Sequence, residues 1–304
     1  MRYVVGYSAN ARGRDAVNLA VSLARGRGAA LDLVVAIPEP GPFNAAHAPA
    51  AGYDSYLHQQ AGEWLDEALA LIPADVPAQA HIRSGESDAQ TLIAACEEFQ
   101  ADMLIIGATS SGLFKRFTVG SVASALLHAA TVPVALAPHG YHRRDALTRV
   151  SCGLGDRPGA EELLEFAVSM AANRAVPLRV VSLLTLDDAD SAQAAEAARE
   201  YAGKHLAAAL PSDSQGTPLA GKADVVVAQG SNIEEAVDRL DWEDGEVLLI
   251  GSSRLARNRS IFLGSTANRI LRALPVPMIV VPSDYELKHP SHSTSNDSSR
   301  EAQA

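Results

Sequence analysis

The sequence predicts an α/β protein built from two tandem doubly wound units, each with a parallel five-stranded sheet. Three observations carry this. The chain of 304 residues is long enough for about two domains. It also matches itself: with a shift of 144, Leu104-Ile105-Ile106-Gly107 meets Leu248-Leu249-Ile250-Gly251, Gly120-Ser121 meets Gly264-Ser265, and Val132-Pro133 meets Val276-Pro277. A shift of 147 brings Gly6 onto Gly153 and Ala20-Val21-Ser22 onto Ala167-Val168-Ser169. A period of this size is a domain, not a solenoid unit. Finally, short apolar runs alternate with helical stripes in each half, the pattern of strands covered by helices on both faces.

The elements of the first half follow in order. Tyr3-Val4-Val5 is a short apolar run that ends at Gly6. Gly13 to Arg27 carries Ala16, Leu19, Ala20 and Leu23 at helical spacing. Leu31 to Ile37 reads as a second strand, stopped by Pro38, and residues from Pro38 to Tyr53 as a mobile loop. Tyr56 to Leu71 is amphipathic, and Gln79 to Arg83 is a weak strand. Ser87 can cap a helix running to Phe99. Met103 to Ile106, a helix from Ser121 to Ala129, and Val132 to Ala137 complete the unit, and the second half repeats the order from Val150 to Val281. The expected division is therefore 1–138, a polar and basic linker over 139–148, a second unit over 149–282, and a tail from Ser283 to Ala304 with too little apolar content to order. Deleting that tail is expected to leave the fold intact. The two final strands, apolar on both faces, are expected to meet and cover each other's edges.

Composition narrows the function. The net charge of −11 disfavours binding to phosphate backbones, so no nucleic-acid partner is expected. Cys96 and Cys152 are too few for a disulfide scaffold or a four-thiolate metal site, and both sit among apolar residues as small buried hydrophobes. No histidine pair has ligand spacing, so no metal site is expected. The N-terminus lacks the pattern of a signal peptide, and a reducing cytoplasmic setting is expected. Residues 117–142 carry no Asp, Glu, Lys or Arg, but Gly120, Pro133 and Pro138 interrupt them, so they read as a helix and a buried strand rather than a membrane span.

The chemistry lies in the glycine loops. In such sheets ligands bind at the carboxyl ends of the strands, where Gly6, Gly107, Gly153 and Gly251 fall. Gly107 turns the chain sharply, Ala108, Thr109 and Ser110 are small enough to leave amides open, and Gly120-Ser121 opens a helix whose N-terminus favours an anion. The Ser121 hydroxyl can cap that helix or bond a phosphate oxygen. Ordinary turn chemistry explains each loop alone; two copies at identical spacing argue for a polyphosphate. Lys115, Arg116, Arg257 and Arg259 share these loops and read either as solvated surface charges, the favoured reading, or as cations that approach the phosphates.

At this point the chain resembles the universal stress protein family. The family motif is Gly, two residues, Gly, nine residues, Gly, then Ser or Thr, followed by a strand like Val-Pro-Val. Gly107, Gly120-Ser121 and Val132-Pro133-Val134 match it, as do Gly251, Gly264-Ser265 and Val276-Pro277-Met278. The resemblance covers both halves and implies a Rossmann-like sheet of order 3-2-1-4-5 in each. It further implies an internal pseudo-dimer, with homodimers of the chain left open, and a non-catalytic role in stress responses exercised through protein partners. Some members bind ATP or related adenine nucleotides. Carried onto this chain, the candidate nucleotide residues are Gly6, Tyr7, Ser8, Ala36, Ile106, Gly107, Ala108, Thr109, Ser110, Gly120, Ser121 and Val122, with Gly251, Gly264 and Ser265 in the second half.

Two departures matter. The middle glycine of the motif is Ser110 in the first half and Arg254 in the second, where Arg254 either blocks the phosphate space or binds phosphate. The aspartate that ends the first strand of ATP-binding members is matched by Ser8 and Gly155. ATP is therefore expected to bind weakly, on the order of 0.01–1 mM, and mainly in the first half. The alternatives are a scaffold that has lost its nucleotide and, third, an α/β phosphate-transfer enzyme, for which no acid–base pair can be named.

Overall fold

The computed structural model describes residues 1–39, 53–110, 117–118, 120–155, 159–185, 191–210, 222–252, 261, 263–283 and 285. The first half runs β1 (Arg2–Gly6), α1 (Ala11–Arg25), β2 (Ala30–Pro38), α2 (Tyr53–Ala70), β3 (Ala78–Gly85), α3 (Asp88–Glu98) and β4 (Met103–Gly107). A two-residue ribbon, β5 (Thr109–Ser110) with β6 (Phe117–Thr118), precedes α4 (Ser121–Ala129) and β7 (Val134–Ala137). The second half runs β8 (Arg149–Gly153), α5 (Ala160–Ala172), β9 (Leu178–Thr185), α6 (Ser191–Ala209), β10 (Ala223–Gly230), α7 (Ile233–Asp238), β11 (Glu246–Gly251), α8 (Ser265–Ala273) and β12 (Met278–Val281).

In the main sheet each half has the strand order 3-2-1-4-5, and every pairing within a half of that sheet is parallel. The halves do not keep separate sheets. β7 and β12 pair antiparallel, with Val134 opposite Val280 and Leu136 opposite Met278, which makes one ten-stranded sheet. The pairing satisfies two edges that would otherwise present unpaired backbone. β7 starts at Val134 rather than Val132 because Pro133 has no N–H to give; its carbonyl instead accepts from Leu104 N.

Helices cover both faces. On one face α1, α2, α5 and α6 pack their apolar stripes, including Leu19, Leu23, Leu65, Leu164 and Leu206, against alternate strand residues such as Ile105, Ala135, Leu249 and Ile279. The opposite face holds α3, α4, α7 and α8 over Leu104, Leu136, Leu248 and Val280. Each core runs through both halves without a break. At roughly 1.5–3 kcal/mol per fully buried large aliphatic side chain, these two layers supply most of the drive to fold. Asn10 caps α1 by accepting from Gly13 N, and Ser87 caps α3 by accepting from Gln90 N.

Two segments that the sequence marks as loose are packed. The linker is strapped to α1: Gly140 N donates to Asp15, Asn18 donates to the Tyr141 carbonyl, and Arg144 N donates to Ser22. The tail expectation needs correcting at its start. Tyr285 sets its ring edge-on to Phe166, with centroids 5.8 Å apart, and its hydroxyl donates to the Asp102 carbonyl across the junction of the halves. Burial pushes that phenol up to about 12. Tyr285 is the repeat partner of Tyr141 at the shift of 144. Tyr285→Ala is expected to cost about 1–3 kcal/mol in urea unfolding, and Tyr285→Phe to retain most of that. Equal midpoints for wild type and Tyr285→Ala would contradict the packing. Residues 286–304 of the expected disordered tail, and 40–52 of the expected mobile loop, lie outside the described residues.

Candidate functional site

In the first half the expected residues come together at the carboxyl ends of β1, β2 and β4, and among the described residues the start of α1 packs into the space beside Gly107. Helix α1 begins at Ala11 and sits directly on the loops. A methyl group on Gly107 would lie 2.1 Å from the Arg12 carbonyl oxygen, and one on Gly13 would lie 1.9 Å from the Ser8 carbonyl oxygen. Only glycine permits such contact. The Asp15 carboxylate holds the helix down through Gly140 N at 2.9 Å. Burial pushes the Asp15 carboxyl up, against the pull of that N–H and of His139.

Around this contact, Tyr7 is buried, Ala36 is half-buried, Ile106 is buried beneath Gly6, and Ser8 is exposed. Tyr7 N donates to Val34, and Ala108 N donates to Ala137, so both amides are spent on the sheet. Thr109 and Ser110 enter the short ribbon with Thr118 and Phe117. Gly120 is the N-cap of α4, which takes no side-chain cap, so Ser121 does not cap it; Ser121 is exposed and Val122 half-buried. Arg12 was not among the expected residues. Its guanidinium lies 3.9 Å from where a methyl group on Gly120 would stand, beside the helix N-terminus that a phosphate would need. The repeat held a signal: at the shift of 147, Arg12 stands opposite Gly159.

The second half is open at the same place. A cavity of about 270 Å³ lies at the carboxyl ends of β8, β9 and β11. Gly153, Leu154 and Gly155 form one wall and Ile250, Gly251 and Ser252 another. Val181, Leu183, Ile233 and Ile270 make it largely apolar, and Thr266 and Ala267 bring in the first turn of α8. These positions match the first-half candidates: Gly153 with Gly6, Leu154 with Tyr7, Gly155 with Ser8, Leu183 with Ala36, Ser252 with Ala108 and Thr266 with Val122.

The opening has a backbone cause. Helix α5 starts at Ala160, the partner of Gly13, so it begins two residues later than α1. A methyl group on Gly251 would meet only Leu163 Cδ2, at 3.6 Å, and one on Gly155 would meet nothing within 4 Å. Gly264 N-caps α8 and Ser265 opens it; neither α8 nor α5, whose N-cap Gly159 has φ +85°, takes a side-chain cap. Two helix N-termini thus face the region, a favourable setting for an anion. Arg254, Lys115, Arg116, Arg257 and Arg259 lie outside the described residues.

No titratable side chain lines the cavity among the described residues. Neither is there, among them, a cluster of three His, Cys, Asp or Glu residues able to hold a metal. Cys96 and Cys152 are buried, with thiols pushed up to about 12 by burial, which removes them as nucleophiles. No described helix is long and apolar enough to cross a membrane.

A doubly wound α/β pair joined edge to edge, with a cavity at the strand ends of its second half, defines a tandem Rossmann-like protein. The model of the universal stress protein family matches residues 1–138 and again 147–282, and the chain belongs to that family in its tandem form. Universal stress proteins of Mycobacterium tuberculosis strain H37Rv and of Mycobacterium bovis are each 32% identical over 292 residues, covering 93% of this chain and 100% of theirs. A universal stress protein structure from Archaeoglobus fulgidus DSM 4304 matches with TM-score 0.66 at 18% identity, over 93% of this chain and 98% of that one. A protein of Pseudomonas aeruginosa PAO1 matches with TM-score 0.57 at 17% identity, over 93% and 92%. These two structures are alike in fold.

Proposed function

We propose that this universal stress protein binds an adenine nucleotide in its second half and works by binding rather than by turnover. The observation that carries this is the cavity beside Gly251. Its apolar walls suit the faces of a purine, and the start of α8 suits a phosphate. Gly155 offers no carboxylate to the ribose, so affinity stays low, on the order of 0.01–1 mM. Among the described residues the walls carry no ionisable group, which supports binding over proton-transfer chemistry. The first half, filled by its own α1, acts in this reading as the structural partner of the pseudo-dimer, which is the scaffold role confined to one half.

Calorimetric titration of AMP and ATP into two variants tests the assignment. Gly251→Val projects a side chain into the cavity beside Leu163, and Ser8→Val alters the exposed first-half position. Binding is expected to weaken at least about tenfold in Gly251→Val, with far-UV circular dichroism unchanged, and to persist in Ser8→Val. Binding that survives Gly251→Val and is lost in Ser8→Val would place the ligand in the first half. No heat with either nucleotide at millimolar concentration in wild type would favour a nucleotide-free scaffold.

A further inference from the structure

The cavity is walled on one side by two helices: α7, which is shorter than its first-half counterpart α3, and α8, which has the same length as its counterpart α4. Helix α7 has only 6 residues, against 11 in α3, and its first residue, Ile233, faces the cavity. Helix α8 contributes Thr266, Ala267 and Ile270. A short helix held by its apolar side alone would be free to shift and change the cavity's width.

One side-chain pair bridges these helices immediately next to the wall residues. Arg269 grips Glu234 with Nε at 3.1 and 3.0 Å from the two carboxylate oxygens and Nη2 at 2.7 Å from one of them. Glu234 follows Ile233 and Arg269 precedes Ile270, so the ion pair fixes the separation of the two wall residues. The Arg269 guanidinium also holds the Glu234 carboxyl below the usual range. The first half has no such pair. Its helix cap Ser87 aligns with Asn232, which sets Ala89 opposite Glu234, and Ala125 stands opposite Arg269 at the shift of 144.

We infer that Glu234 and Arg269 form a clasp that positions α7 against α8 and so sets the width, and the ligand affinity, of the second-half cavity. The affinity part rests on the cavity being the nucleotide site; the clasp itself does not. Both residues are positioning residues, since neither lines the cavity. The planar, two-pronged contact gives the pair an orientation that a single point contact would not.

Charge reversal tests it. Glu234→Arg and Arg269→Glu each place like charges across the clasp, and the double swap restores opposite charges. With AMP as probe, each single variant is expected to weaken binding about two- to fivefold or more while the melting curve stays cooperative, and the swap to recover to within about twofold of wild type. Singles equal to wild type, or a folded swap as weak as the singles, would overturn the inference. Hydrogen exchange on the ligand-free chain gives a reading that needs no nucleotide. Amides of residues 233–238 should exchange several-fold faster in Arg269→Glu and return towards wild type in the swap; unchanged exchange would equally overturn the clasp. Wild type that binds no AMP but shows the exchange pattern would sink the nucleotide assignment and leave the clasp standing.

Discussion

Replacing Glu246 with alanine is expected to destabilise the chain by about 3–5 kcal/mol, because it strips the counter-charge from the buried Arg179 and one of the two carboxylates that pair with Arg149. Glu246 has no solvent exposure. It accepts from Arg179 Nη2 at 2.6 Å, from Arg149 Nη2 at 2.7 Å, from Glu243 N at 2.9 Å and from the Ser151 hydroxyl. Arg179 is itself only 4% exposed, and its guanidinium lies over the Trp242 ring at 4.8 Å. Burial pushes Arg179 down from its ordinary value while Glu246 opposes the shift. Truncating the exposed Glu196, paired with Arg199 on the surface of α6, should change stability by no more than about 1 kcal/mol. Chemical denaturation of both variants is the check. An Glu246→Ala midpoint no lower than that of Glu196→Ala would mean the buried cluster is not what holds the start of the second-half sheet.

The second large effect is expected at the seam. Val280 stands opposite Val134 in the antiparallel pair, and both are fully buried. Val280→Lys buries an ammonium among the apolar residues of its layer, at a cost of several kcal/mol. Because the seam joins the halves, the loss should appear as an opened sheet with two exposed edges, β7 and β12. Analytical ultracentrifugation should show expanded or aggregated species, and Val280→Ala, which only shortens the side chain, should stay monodisperse. Unchanged sedimentation and stability in Val280→Lys would contradict the edge-to-edge joint.

Much of this architecture was legible because it is written twice. The shifts of 144 and 147 located the strands, and the apolar runs Met103 to Ile106 and Val132 to Ala137 read as buried strands. Charges inside strands were harder to read. Asp32 lies in β2 at 1% exposure, and it survives there because Arg2 and His81 both hydrogen-bond it. Arg179 occupies the matching place in the second half, with the sign reversed and Glu246 as its partner. Single residues in a pattern do not disclose such exchanges, since each partner lies 30 to 67 positions away along the chain.

The repeated glycine loops point to the carboxyl ends of the strands, and eight of the twelve first-half candidates have their repeat partners on the walls of the second-half cavity; Gly264 and Ser265, the partners of Gly120 and Ser121, do not line it. Which half is open depends on where a helix starts. The offset of two residues between the starts of α1 and α5 sets the Arg12 carbonyl on Gly107 and leaves Gly251 free. No residue type announces that offset. Tyr285 was legible in principle as the repeat of Tyr141, but its polar neighbours in sequence concealed it.

Photoaffinity labelling with 8-azido-ATP, followed by mass-spectrometric mapping of the modified peptides, tests the central claim most directly, because it reports position without relying on any variant. The label should fall on peptides of the second half that carry the cavity walls, 153–163, 181–183, 233, 250–252 and 266–270, and excess unlabelled ATP should abolish it. Competable label on residues 6–12, 106–109 or 120–122 would show that the first half binds despite its filled cleft, and would contradict the account.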